Sequence, residues 1–176
     1  GQEVVPDSGC GSWLFEPQST NLITYSEDFS ASTWTKNTVT LESGYLAPDG
    51  TNSAYKVTGT SAQAHLYTGA DFTGIKHKSI YARTISGTGT VNLCNRSSDA
   101  NALFTITEQW QRFDISHSDV DLFYAVDFRG AGATLSEVII WGAQMEAQSY
   151  ATSYIPTEGS QVTRNQDLCT NGGSLA

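Results

Sequence analysis

Apolar and polar residues alternate along this chain in short runs, each closed by Gly, Pro, Asn, Asp or Ser. No window carries a sustained apolar stripe at helical spacing. The alternation predicts strands at Asn21–Tyr25, Thr38–Glu42, Ser53–Thr58, Ala64–Phe72, Lys76–Ile85, Thr90–Arg96, Ala102–Ile106, Gln111–His117, Leu122–Arg129 and Glu137–Met145. Pro48-Asp49-Gly50 is a turn signal with a mechanism, since Pro presets φ and Gly supplies a positive φ. Helical candidates are confined to Ser26–Ser30 and Gln148–Ala151. Short hairpin-like connections favour antiparallel pairing, so the expected fold is all-β: a two-sheet antiparallel jelly-roll sandwich of roughly nine or ten strands. The expected organisation is an N-terminal extension packed on the domain (1–20), a β-sandwich module (21–157) and a C-terminal extension (158–176).

Strand parity assigns faces. Ile80 and Ala82 oppose Ser79, Tyr81 and Arg83. Val91 and Leu93 oppose Asn92, Cys94 and Arg96. Leu122, Tyr124, Val126 and Phe128 oppose Phe123, Ala125, Asp127 and Arg129. If these strands share a sheet, Tyr81, Arg83, Asn92, Arg96, Asp127 and Arg129 form one polar face with an aromatic ring and several guanidiniums. Such a face suits a sugar, whose hydroxyls take charge-assisted hydrogen bonds while its C–H faces lie on a ring. The same pattern also describes an ordinary solvated face with Arg–Asp pairs of little value. Glu137–Met145 is apolar on both parities and is expected to be central and covered on both sides. Trp141 is expected in the core, Trp110 at an edge, Trp34 exposed and Trp13 against the domain.

The 176 residues suffice for one domain with a real core. Charged residues are only 15%, and the net charge of −9 repels phosphate backbones, so no nucleic-acid partner is expected. No apolar run approaches the roughly 20 residues of a membrane span, so none is expected. The chain opens on Gly1 without a charged-then-apolar leader, as in a processed chain or an excised piece.

Catalytic patterns are missing. His65, His77 and His117 are scattered without metal-ligand spacing, and there is no G-x-S-x-G elbow or phosphate-cradling loop. A non-enzyme without a cofactor is expected. A structural calcium is conceivable where Glu27, Asp28 and Glu146 meet backbone carbonyls, although Asp28 or Ser26 serves equally as a cap. Cys10 and Cys169 flank the strands and could be bridged, closing a loop worth up to about 5 kcal/mol in the chain-entropy model. The alternative is three buried reduced thiols, Cys94 included.

The stretch Leu14–Ser30, the Trp34-Thr35-Lys36 that follows, the Ala47-Pro48-Asp49-Gly50-Thr51 turn, Ser79–Arg83 and Trp110-Gln111-Arg112 resemble a jelly-roll module of bacteriophage tail and virion proteins and marine bacterial surface proteins. The most specific part is Trp141–Glu146 with Ala151–Thr157 and Val162-Thr163-Arg164; the resemblance covers about 9–170. It implies a fold similar to carbohydrate-binding modules, usually non-catalytic, in an extracellular or virion setting. Cysteines just outside both end motifs look like part of the pattern, which supports a Cys10–Cys169 disulfide.

The expected function is carbohydrate binding or host-surface attachment, with glycan, a host surface or neighbouring virion or surface-protein domains as partners. The alternative is a purely structural virion decoration, spike or fibre protein acting through homo-oligomeric assembly.

Overall fold

A stretch that is apolar on both parities must be covered on both faces, and Glu137–Glu146 is central in its sheet, with nine of its ten residues buried. In the computed structural model, which describes residues 3–4, 13–69, 74–95, 102–118 and 122–167, two five-stranded antiparallel sheets face each other. In chain order the strands are β1 (Glu3–Val4), β2 (Trp13–Leu14), β3 (Ser19–Asn21), β4 (Thr35–Asn37), β5 (Val39–Tyr45), β6 (Ala54–Gly59) and β7 (His65–Gly69). There follow β8 (Ile75–Arg83), β9 (Gly89–Asn92), β10 (Leu103–Ile106), β11 (Gln111–Ser118), β12 (Leu122–Asp127), β13 (Glu137–Glu146) and β14 (Val162–Arg164). The first sheet runs β10–β9–β12–β7–β4 and the second β11–β8–β13–β6–β5. Two short ladders, β1–β2 and β14–β3, complete the pairing. The expected two-sheet jelly-roll sandwich is therefore the observed fold.

The core lies between the sheets. Leu66, Val91, Ile106, Phe123 and Ala125 meet Val57, Ile80, Ala82, Val138, Ile140 and Met145. Each large member contributes about 1.5–3 kcal/mol by leaving water. On β8 the expected parity holds: Ile80 and Ala82 are buried in the core, and Tyr81 and Arg83 face outward.

The differences from expectation have local causes. Of the expected strand Asn21–Tyr25, only Asn21 is in a strand, at the end of β3, and Tyr25 makes an isolated bridge to Glu158. Asn21 replaces the missing ladder with its side chain: Nδ2 donates to the carbonyls of Ala143 and Ile155, and Oδ1 accepts from the backbone N–H of Ile23 and Met145. With the backbone satisfied in this way, Leu22 and Ile23 can both enter the core. Ser26–Ser30 is a turn, because Asp28 Oδ1 takes the Ser30 N–H at 2.9 Å, and Gln148–Ala151 is likewise non-helical.

Trp34 is buried, not exposed. Its ring lies 4.9 Å from that of Phe29, and its Nε1–H donates to the Tyr25 carbonyl at 2.9 Å. Cys94, expected beside Asn92, is in the core. Its φ of 57° breaks the strand alternation after Asn92 and turns the thiol inward. Cys10 and Cys169 lie outside the described residues. The β3–β14 ladder, with Ser19 opposite Arg164, joins segments on either side of the sandwich.

Candidate functional site

The six residues expected to share a face do not do so. Tyr81 and Arg83 stand on β8, in the second sheet. Asn92 and Asp127 stand on β9 and β12, in the first, with Arg129 just beyond. Arg96 lies outside the described residues. Parity alone could not separate the two groups, because it says nothing about which strands pair.

The outer face of the first sheet is the richer one. The register places Leu103, Asn92, Asp127, His65 and Asn37 in one row across the five strands. The next row carries Asn95, Tyr124, Tyr67 and Thr35. Strict alternation puts Tyr124 and Asp127 on opposite faces. An irregularity between Tyr124 and Val126 shifts the register, so Ala125 and Val126 both enter the core while Tyr124 and Asp127 both face outward.

The aromatic part of this face is a cluster of three rings. Tyr67 and Tyr124 stack with centroids 5.0 Å apart and planes at 25°. His65 lies 5.6 Å from each. Its Nδ1 is 2.8 Å from the Gln63 carbonyl, which can only accept, so Nδ1 carries a proton. Tyr67 is half-buried, so one ring of the stack meets solvent.

The polar part is a fork. Arg129 donates from Nε to Asp127 Oδ1 and from Nη2 to Oδ2, both at 2.8 Å, and its guanidinium lies 5.2 Å from the centre of the Tyr124 ring. Asp127 is fully buried and also accepts from Asn95 Nδ2 and the Arg129 backbone N–H. These bonds to the carboxylate raise the Arg129 pKa further above its ordinary value. Asn92 Nδ2 donates to the Arg129 carbonyl at 3.1 Å, and its buried Oδ1 has no partner. A ring platform beside a fixed guanidinium can stack a flat apolar surface and donate to an oxygen next to it.

No family model matches this sequence, and no curated protein does. Among solved structures, the chain is similar to the CBM22-1 xylan-binding domain from Paenibacillus barcinonensis Xyn10C, with TM-score 0.50 and 12% identity over 75% of this chain and 94% of that one. It is also similar to the CBM22-1-CBM22-2 tandem domain of the same Xyn10C, with TM-score 0.54 and 15% identity over 78% of this chain and 48% of that one. The matched part of this chain spans about half of the tandem's length. The fold is a carbohydrate-binding-module-like jelly roll. A weaker likeness, to the enzymatically active domain of bacteriophage CBA120 tailspike protein 4, has a TM-score of 0.43 and 9% identity over 71% of this chain and 21% of that one.

On the opposite side of this module, the outer face of the second sheet is largely occupied by its own side chains. Trp141, Tyr154 and Tyr81 pack together, with Trp141 and Tyr154 centroids 4.5 Å apart. Burial raises the pKa of the Tyr154 hydroxyl. Arg112 lies over Tyr81 and donates to the Thr152 carbonyl at 2.6 Å. Arg83 lies over Trp110, whose Nε1–H reaches the Leu46 carbonyl. Trp110 therefore holds an edge as expected. Trp141 is buried, but in a small outer cluster rather than between the sheets. The side chain of Trp13 is not described.

The three residues considered for calcium are each engaged separately. Glu146 is fully buried and accepts from Ser19 Oγ, Thr152 Oγ1, the Thr152 N–H and Gln148 Nε2. Glu27 accepts from the Tyr154 hydroxyl, and Asp28 from Ser30 and Tyr55. Among the described residues, no three His, Cys, Asp or Glu side chains gather as a metal would need.

A Ser–His–Asp group escaped notice in the sequence because its members are on two strands. His77 Nδ1 lies 2.7 Å from Ser116 Oγ, and its Nε2 lies 2.7 Å from Asp114 Oδ2. The Ser116 hydroxyl, however, donates to the Ser149 carbonyl at 3.1 Å. Its proton is directed away from the imidazole, which is not the arrangement of an activated nucleophile.

Proposed function

We propose that this chain is a non-catalytic glycan-binding module, carried on an extracellular or virion surface and attaching it to carbohydrate. The ligand lies on the outer face of the first sheet. The observation that carries the reading is the Tyr67–Tyr124 stack beside the Arg129–Asp127 fork. Sugar C–H faces lie on Tyr67, and sugar hydroxyls accept from the partly exposed Arg129 guanidinium beside it. Support comes also from the fold, shared with a domain described as xylan-binding.

Tyr67→Ala is expected to weaken retention on the glycan that a glycan array selects, by about tenfold, the equivalent of about 1.4 kcal/mol. Tyr67→Phe, which keeps the ring, should bind nearly as the native protein does. Arg83→Ala, on the other sheet, should leave retention unchanged. Full retention by Tyr67→Ala would show that the face is wrongly assigned. An array without signal, together with a stable trimer or larger assembly in light scattering, would favour the assembly role instead.

A further inference from the structure

At the edge of the sandwich, the inner side of the β5–β6 hairpin and the segments 25–28 and 156–162 enclose a cleft of about 660 Å³. That volume lies within the range of about 300–1,000 Å³ seen for small-molecule sites. The cleft is distinct from the glycan face, which lies on the other sheet.

Its lining is built from two tyrosines and an excess of acceptors. Tyr25, Tyr55 and Ser43 present rings and hydroxyls, and Glu27, Asp28 and Glu158 present carboxylates. No lysine or arginine is among the described lining residues. The Tyr55 hydroxyl donates to Asp28 Oδ1 at 3.0 Å, which fixes the ring against that carboxylate. Neither the Tyr25 hydroxyl nor the Glu158 carboxylate has a side-chain hydrogen bond among the described residues, and the Glu158 side chain is exposed. Gly159 turns the chain beside Tyr25 with a φ of +90°, a conformation other residues rarely adopt.

We infer that this cleft is a second saccharide site, taking a single pyranose unit that carries no carboxylate. A pyranose fits the volume of the cleft, with Tyr25 and Tyr55 among its walls, and its hydroxyls donate to Asp28 and Glu158 in charge-assisted hydrogen bonds. A protonated amine on the sugar strengthens the same contacts. A uronate meets three carboxylates with no cation to offset them, and is repelled.

The test is an amide chemical-shift titration of the whole chain with glucosamine, glucose and glucuronate in parallel. Expected are shifts at Tyr25, Ser43, Tyr55 and Glu158, with glucosamine binding several-fold more tightly than glucose and glucuronate producing none. The glucosamine advantage should collapse at high salt and in Glu158→Gln, whose exposed side chain holds nothing in the fold. Tyr67→Ala should leave these shifts in place, so the cleft and the sheet face can fail separately. Absence of shifts at tens of millimolar sugar would overturn the inference, as would glucuronate binding as well as glucose or shifts confined to the Tyr67 face.

Discussion

Asp127 and Arg129 form a two-pronged ion pair within one strand end, with the carboxylate fully buried and the guanidinium against the Tyr124 ring. Removing one partner strands the other, which typically costs about 3–5 kcal/mol for a buried pair. Arg129 is partly exposed, so the lower end applies to its removal. Asp127→Ala is expected to destabilise strongly in urea unfolding. The double variant Asp127→Ala/Arg129→Ala should lose less than the sum of the single variants. Additivity would mean that the pair is not coupled.

Glu146 is a buried carboxylate facing only donors. Glu146→Gln turns one acceptor oxygen into an NH₂ group directed at Ser19, Thr152 or Gln148. A loss of about 1–3 kcal/mol is expected, the cost of a buried mismatched polar group. Denaturant midpoints of the native protein and the variant measure it, and equal midpoints would contradict the assigned network.

The carboxyl of Asp28 is held below its ordinary pKa of 3.8, chiefly by the Ser30 side chain and further by Tyr55 and backbone N–H groups. A carboxylate with a lowered native pKa stabilises the fold fully above its unfolded pKa, and that contribution disappears as pH falls through the lower native value. The stability gap between native protein and Asp28→Asn should therefore be constant near neutral pH and close below about pH 3.8. Thermal melts between pH 2 and pH 7, a range spanning the usual carboxylate titration, are the measurement. A gap unchanged at the acid end would refute the assignment.

Burial raises the pKa of the Cys94 thiol, and the side chain is fully enclosed. Iodoacetamide at mildly alkaline pH should leave Cys94 unmodified in the native protein and label it once denaturant is added. Peptide mapping reads this residue by residue. Rapid native labelling at Cys94 would mean that this end of the core opens.

Much of the fold was legible because β13 and β8 state their burial in their own residues: one is apolar on both faces, the other alternates cleanly from Ser79 to Arg83. β4 was not legible, because Thr35, Lys36 and Asn37 are all exposed and carry no alternation. Asn21–Tyr25 misled because a single amide side chain replaces strand pairing there, a substitution that composition does not announce. The candidate site was half visible. Asp127 and Arg129 could be found as an Arg–Asp pair two residues apart. Tyr124 was hidden by the register shift beside it. His65 and Tyr67 stand at alternate positions of a predicted strand, and that spacing was the available signal for them.

The β3–β14 ladder is only three residues long, and Ser19 and Arg164 lie at the same end of it. Force applied by whatever holds the module at those two points would therefore unzip the ladder one rung at a time rather than shear it. The Glu16–Arg164 ion pair and the bonds between Glu16 and Asp167 lie just outside that end and would be the first to part.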